Sequence, residues 1–145
     1  MTPHQTQLIR QSFAQLVPRA PIVALLFYQR LFVLDPSLRA QFRGDIDAQG
    51  RKLMQALQFA VASLDQPDTL VPALEAMGQR HVRYGVADAH YDTVGEALLA
   101  TLSECLGSAF TREVMDAWGA FYAVVAGAMQ RGALVATAPA LSSEK

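Results

Sequence analysis

Apolar residues recur along the chain at spacings of three and four, which predicts one helix after another. Pro3 after Thr2 marks a helix start, and Leu8, Phe13 and Leu16 form a stripe that ends before Pro18. A second helix is expected over about Ala20 to Leu34, bounded by Asp35-Pro36, with Ala24, Phe27, Tyr28 and Leu31 on one face. A short third segment, Pro36 to Phe42, leads into the turn-like Arg43-Gly44-Asp45. The fourth helix, about Asp47 to Leu64, carries Gln49, Leu53, Ala56, Leu57 and Ala60 on one face, and Asp65-Gln66-Pro67-Asp68 closes it. The fifth shows Leu70, Leu74, Met77 and His81, with Gly85 just beyond its end. Two longer helices follow, about Ala89 to Leu106 and Thr111 to Ala133, separated by Gly107-Ser108. Nothing in the sequence has the form of a β-hairpin, a glycine-rich phosphate loop or an internal repeat. The tail from about Ala136 to Lys145 is small, polar and proline-containing, so it is expected to fray, leaving residues 1–135 as the folded domain.

Three polar-tipped side chains interrupt these apolar stripes, Tyr28, Gln49 and His81, each on a different helix. A core excludes such groups or pairs them, so three converging from separate helices point to a lined pocket. At 145 residues the chain has the size of one domain, with room for a ligand inside its core. A formal net charge of −1 and a pI near 6.3 supply no basic field for nucleic acid or an anionic membrane. The N-terminus lacks the pattern of a leader, and no apolar run is read as approaching the length of a membrane span. The single cysteine, Cys105, forms no internal disulfide, and with no Cys/His cluster at zinc spacing this agrees with a reducing, cytoplasmic setting.

Taken one at a time, these residues keep two readings open. His81 follows Leu74 and Met77 by seven and four residues and so shares their core-facing stripe. It reads either as a core histidine paired with a carbonyl or as a neutral imidazole donated to a haem iron. Tyr28 alone reads as a core aromatic whose hydroxyl reaches a carbonyl, Gln49 as an exposed residue near a helix start, and Phe42 as ordinary core. Cys105 reads as an inert thiol on an apolar face, and Trp118, Phe121, Tyr122 and Val125 as the core side of the last helix.

Residues 6 to 133 resemble a globin, in particular the single-domain bacterial globins, the haem domains of flavohaemoglobins and the neuroglobin group. The likeness rests on Leu8 to Phe13, Leu26 to Phe32, Asp35-Pro36 through Phe42, and Gln49 to Met54. It continues through Gly78-Gln79-Arg80-His81, Tyr91 to Glu96 and Ala117-Trp118-Gly119. The order and spacing of these pieces carry more than any one of them. The resemblance implies an all-α globin fold, about seven helices crossing at roughly 50° around haem b. It implies His81 as the proximal iron ligand, Phe42 packed on the porphyrin, and Tyr28 and Gln49 facing the gas-binding side, with Leu53 as a steric ceiling. Lys52 is expected at a haem propionate, with Arg80 and Arg83 as further candidates.

Donors aimed at a gas that gains negative charge on binding form charge-assisted hydrogen bonds, worth about 1.5 to 3 kcal/mol each. The expected function is therefore high-affinity, reversible O2 binding for storage or delivery, with NO and CO as further gases. The alternative is a nitric oxide dioxygenase that depends on a separate reductase. Unlike neuroglobin, whose position matching Gln49 is an iron-binding histidine, this chain carries a poorly ligating amide there, so the sixth coordination position is expected to be open or water-bound. In flavohaemoglobins a tyrosine and a glutamate brace the proximal ligand. Tyr91 matches the tyrosine, whereas the glutamate position falls on Gly132. Strong peroxidase-like chemistry is accordingly disfavoured. A monomer or weak homodimer is expected.

Overall fold

Thr2 opens the first helix with a capping box: its hydroxyl accepts the Gln5 N–H, and the Gln5 side chain accepts the Thr2 N–H. Pro3 follows at the first helical position, where a missing N–H leaves nothing unpaired. The computed structural model describes residues 1–41, 45–83 and 85–136. Over them run α1 (Pro3–Leu16), α2 (Ala20–Leu34), α3 (Ile46–Ala62), α4 (Pro67–Arg83), α5 (His90–Leu106) and α6 (Arg112–Ala136). Short 3-10 turns occupy Val17–Arg19, Pro36–Gln41 and Gly107–Ala109, and the described residues contain no strand. The all-α expectation holds, with the short third segment wound as 3-10 helix. α6 runs three residues beyond its expected end at Ala133, and residues 137–145, most of the expected tail, lie outside the described residues.

The boundaries have local causes. After α2 the Asp35 carboxylate accepts both the Ser37 N–H (3.1 Å) and the Ser37 hydroxyl (2.6 Å), a turn that competes with helix and is sealed by Pro36. Asp45 caps α3 by accepting the Asp47 N–H at 2.9 Å. Pro72 lies inside α4, which continues through it near its N-terminal end at the loss of one intrahelical bond.

α2 packs on α3 and α5, α1 on α6, and α4 along α6. The core between them is closed by Trp118, Phe121, Ile9 and Leu31, each at most 1% exposed. The Trp118 indole N–H donates to the Ser12 hydroxyl at 2.8 Å, and that hydroxyl donates in turn to the Leu8 carbonyl at 2.7 Å. A buried polar pair satisfied in this way ties α1 to α6. At two crossings backbone approaches backbone or methyl with no side chain between. A methyl added at Gly132 would stand 1.9 Å from the Glu75 carbonyl oxygen, and one at Gly78 would stand 1.9 Å from that of Met129, so α4 and α6 touch through glycine. Between α2 and α3, a methyl at Gly50 would lie 3.0 Å from the Ala24 Cβ.

One expectation changes here. Taken across its 3-10 turn, Pro3–Leu34 is long and apolar enough by length and composition to cross a membrane, and 33% of its most apolar window is buried in the fold. α2 is buried at Val23, Ala24, Phe27, Tyr28 and Leu31 while Ile22, Leu25 and Val33 are exposed, so apolar residues occupy both faces of this helix.

Candidate functional site

α3 and α4 are joined by a short turn yet pack on different partners, α3 on α2 and α4 on α6, and do not form a packed pair. From these separated helices Leu53, Leu57 and Met77 reach the core while keeping some exposed surface, and His81 is likewise half-buried. These partly exposed side chains therefore lie on helices that are not packed on one another.

His81 is held at both ends. Its ring Nδ1 lies 2.7 Å from the Met77 carbonyl one turn earlier. A carbonyl only accepts, so Nδ1 carries the proton, and the neutral ring has its lone pair on Nε2, the nitrogen suited to a metal. Burial holds the imidazole below its usual pKa; the Met77 bond, which favours the charged form, opposes this, and the nearby Arg80 charge adds to it, so the balance favours the neutral ring. Its backbone carbonyl accepts the Val86 N–H at 3.1 Å while Gly85 donates to Val82 at 3.0 Å, with Gly85 at φ 87°. This is a Schellman closure, and it stops α4 at Arg83, two residues past the histidine. His81 thus satisfies the Met77 carbonyl through Nδ1, as the core-histidine reading expects, and that bond fixes its ring orientation.

Tyr28 is 5% exposed, with its ring set edge-on to Phe27 (5.2 Å between centroids) and stacked on Phe32 (6.0 Å). Its hydroxyl donates to the Gln49 backbone carbonyl at 3.3 Å. The structure therefore brings Tyr28 and Gln49 together, through the main chain of Gln49, while the Gln49 side chain is half-buried. Burial raises the Tyr28 pKa to about 12 from 10.0, so the phenol remains a neutral donor at any ordinary pH. Because the folded-state value lies above the unfolded one, the neutral phenol's contribution to stability is complete below pH 10 and is lost as the pH rises through about 12. Alkaline unfolding followed by circular dichroism should therefore show the wild type losing stability relative to Tyr28→Phe between those limits.

On α5, Tyr91 is 6% exposed and its hydroxyl is buried with no hydrogen-bond partner among the described residues. Burial, followed by Asp88, raises its pKa. The Tyr122 hydroxyl donates to the Tyr91 backbone carbonyl, and its ring occupies the space in front of Gly95. Lys52 and Arg80 are exposed, and Leu53 is half-buried one turn beyond Gln49. Phe42 lies outside the described residues, as does the Arg83 side chain. Cys105 is half-buried, with a thiol pKa raised mainly by burial, in keeping with an unreactive thiol. His90 is half-buried and accepts the Ala87 N–H through Nδ1 at 2.9 Å, a local cap at the start of α5. Sequence reading missed the two glycine contacts between α4 and α6, which set where the histidine helix lies.

The described residues thus form an all-α fold with a half-buried histidine on α4 and a buried phenol on α2. The chain belongs to the globin family, whose family model, described as Globin, matches residues 25–129. It is 35% identical over 130 residues to a flavohemoprotein of Bordetella parapertussis and 32% identical over 128 residues to one of Xylella fastidiosa. These alignments cover 87% and 86% of this chain and 32% of each relative, so the chain spans about a third of the length of those relatives.

The residues fit the cofactor that the resemblance implies. Haem needs an imidazole nitrogen held in a fixed direction and apolar walls around it. His81, oriented by Met77, has the first property, and Leu53, Leu57 and Met77 contribute to the second.

Proposed function

We propose that this globin binds haem b and holds O2 reversibly. The observation that carries this reading is the 2.7 Å contact between His81 Nδ1 and the Met77 carbonyl, which places the proton on Nδ1 and fixes the orientation of a half-buried imidazole. When bound, haem supplies the iron centre at which a diatomic gas is held. His81 would hold the iron, and Phe42, Leu53 and Lys52 are the residues that the resemblance assigns to the haem surroundings. Tyr28, whose hydroxyl donates weakly to the Gln49 carbonyl at 3.3 Å, would supply a hydrogen-bond donor to a gas held there. The Gln49 amide supplies a second donor beside it.

A second reading, nitric oxide dioxygenase with a separate reductase, draws support from the flavohemoprotein relatives. It uses the same distal pair, so the proximal side weighs between the two. At Gly132 any side chain would strike the Glu75 backbone, and the Tyr91 hydroxyl has no hydrogen-bond partner among the described residues. His81 therefore has a neutral carbonyl as its Nδ1 partner, which supports gas retention over oxygen activation.

Absorption spectra of the ferric, ferrous and oxygenated protein test cofactor and coordination together, and a colourless protein would refute the proposal. Tyr28→Phe should raise the O2 dissociation rate about tenfold or more, as expected for the loss of one charge-assisted bond. Stopped-flow mixing with a ligand that replaces O2 measures this, and an unchanged rate would remove Tyr28 from the site. Sustained NO consumption with cellular reductant would favour the dioxygenase reading.

A further inference from the structure

α2 turns a second apolar stripe away from the core. Ile22, Leu25 and Val33 are 57%, 48% and 77% exposed, and half-buried Leu26 lies between them. Helical spacing puts these four and Gln29 within about 100° of arc, opposite the buried Ala24, Phe27 and Leu31. A surface helix normally carries polar residues on that side. The three exposed side chains present roughly 350 Å² of apolar area, within the size of the largest patch on a typical monomer, which is often functional.

The stripe matches itself in reverse. Ile22 and Val33 stand at its two ends, about 16 Å apart along the axis, with Leu25, Leu26 and Gln29 between them. An antiparallel copy therefore sets Ile22 against the partner's Val33 at both ends at once, the condition for an isologous contact. Leu25 also walls the cleft of about 500 Å³ over Ala24 and Met54, which offers a second helix an apolar hollow beside the stripe. The charges nearby are of both signs. Arg30 is paired with Glu104 at 3.1 Å, Asp47 and Arg51 edge the cleft, and Asp35 and Arg39 follow Val33. Reversal of one helix brings the end that holds Asp35 and Arg39 to the end that holds Asp47 and Arg51, so opposite charges meet. An anionic membrane finds no comparable single-sign field there.

We propose that this face of α2 joins two copies of the chain in an antiparallel, twofold dimer. Twice the apolar patch, with its polar surround, buries on the order of 1,000 Å², the lower end of specific interfaces, so the dimer is a weak one. The contact uses neither His81 nor Tyr28 and stands independently of the gas-binding reading.

Sedimentation equilibrium of the full chain from micromolar to millimolar concentration should show monomer and dimer in exchange. Ile22→Glu and Val33→Arg each place a charge at an exposed position, so helix content by circular dichroism should match the wild type. Each should raise the dimer Kd about a hundredfold or more, because the twofold installs every substitution twice. The double variant Ile22→Glu/Val33→Arg should recover most of the wild-type affinity, since residue 22 then faces an opposite charge at the partner's residue 33. A chain that stays monomeric at millimolar concentration, a dimer that neither single variant weakens, or a double variant with no recovery would overturn the proposal. Monomeric chain that floats with phosphatidylglycerol vesicles, and loses that binding in Ile22→Glu, would overturn it by assigning the face to lipid.

Discussion

Protein carrying His81→Ala should purify without haem, or retain it only when free imidazole is added to the buffer. Haem held only by apolar contact exchanges with any other apolar surface, whereas a fixed imidazole adds a metal–nitrogen bond. In this chain the ring is directed by the Met77 carbonyl at 2.7 Å, and α4 is stopped just beyond it by the Gly85 turn. Removing the imidazole deletes the bond while leaving the turn, because the Val86 N–H bonds to the backbone carbonyl of residue 81, which alanine retains. The helix content of His81→Ala, read by circular dichroism, should therefore match the wild type while its visible haem absorbance disappears. His81→Gln separates ligation from packing further, since a side chain of related length fills the space without a good iron donor. A normal haem content and normal spectra in the alanine variant would refute the proximal assignment.

The parts of this site legible from sequence are those decided by local rules. α2 runs over Ala20–Leu34 as the pattern predicts, because Pro21 falls in its first turn and Asp35-Pro36 can only close it. The direction of His81 follows from Leu70, Leu74 and Met77, since residues three and four apart share a face whatever the fold around them. Tyr28 and Gln49 meet as the stripe pattern implies, but the acceptor is the Gln49 main chain, and side-chain spacing carries no information about a carbonyl. The apolar length of Pro3–Leu34 escaped notice because Pro18 divides it into two helices in a periodicity reading, whereas composition runs through the turn. The helix contacts at Gly78 and Gly132 escaped for a different reason. A glycine inside a helical pattern registers as a mild local penalty, and only the approach of a second backbone shows why it is there.

That approach yields the other large expected effect. Gly132→Glu, which restores the acid of the braced proximal arrangement, should cost about 3 kcal/mol or more of stability. Its Cβ would stand 1.9 Å from the Glu75 carbonyl oxygen and 2.6 Å from the carbonyl carbon, both backbone atoms that no rotamer change can move. Relief requires α4 and α6 to separate, and separation also opens the matching contact of Gly78 with Met129. The new carboxylate would enter beside Glu75, which already pairs with Arg131 at 3.6 Å, so charge adds to the steric cost. For a domain of this size the melting temperature should fall by about 10 °C. Gly132→Ala, which brings the methyl without the charge, should account for most of that fall, since the clash begins at Cβ. If Gly132→Glu instead melts with the wild type and leaves the Tyr91 hydroxyl hydrogen-bonded to the new carboxylate, the helices can part at little cost. Glycine at 132 would then reflect chemistry that does without an acid, and packing would have no part in its choice. Under the steric account the two are inseparable: the contact that sets α4 against α6, and with it the position of the His81 helix, also keeps a carboxylate from position 132.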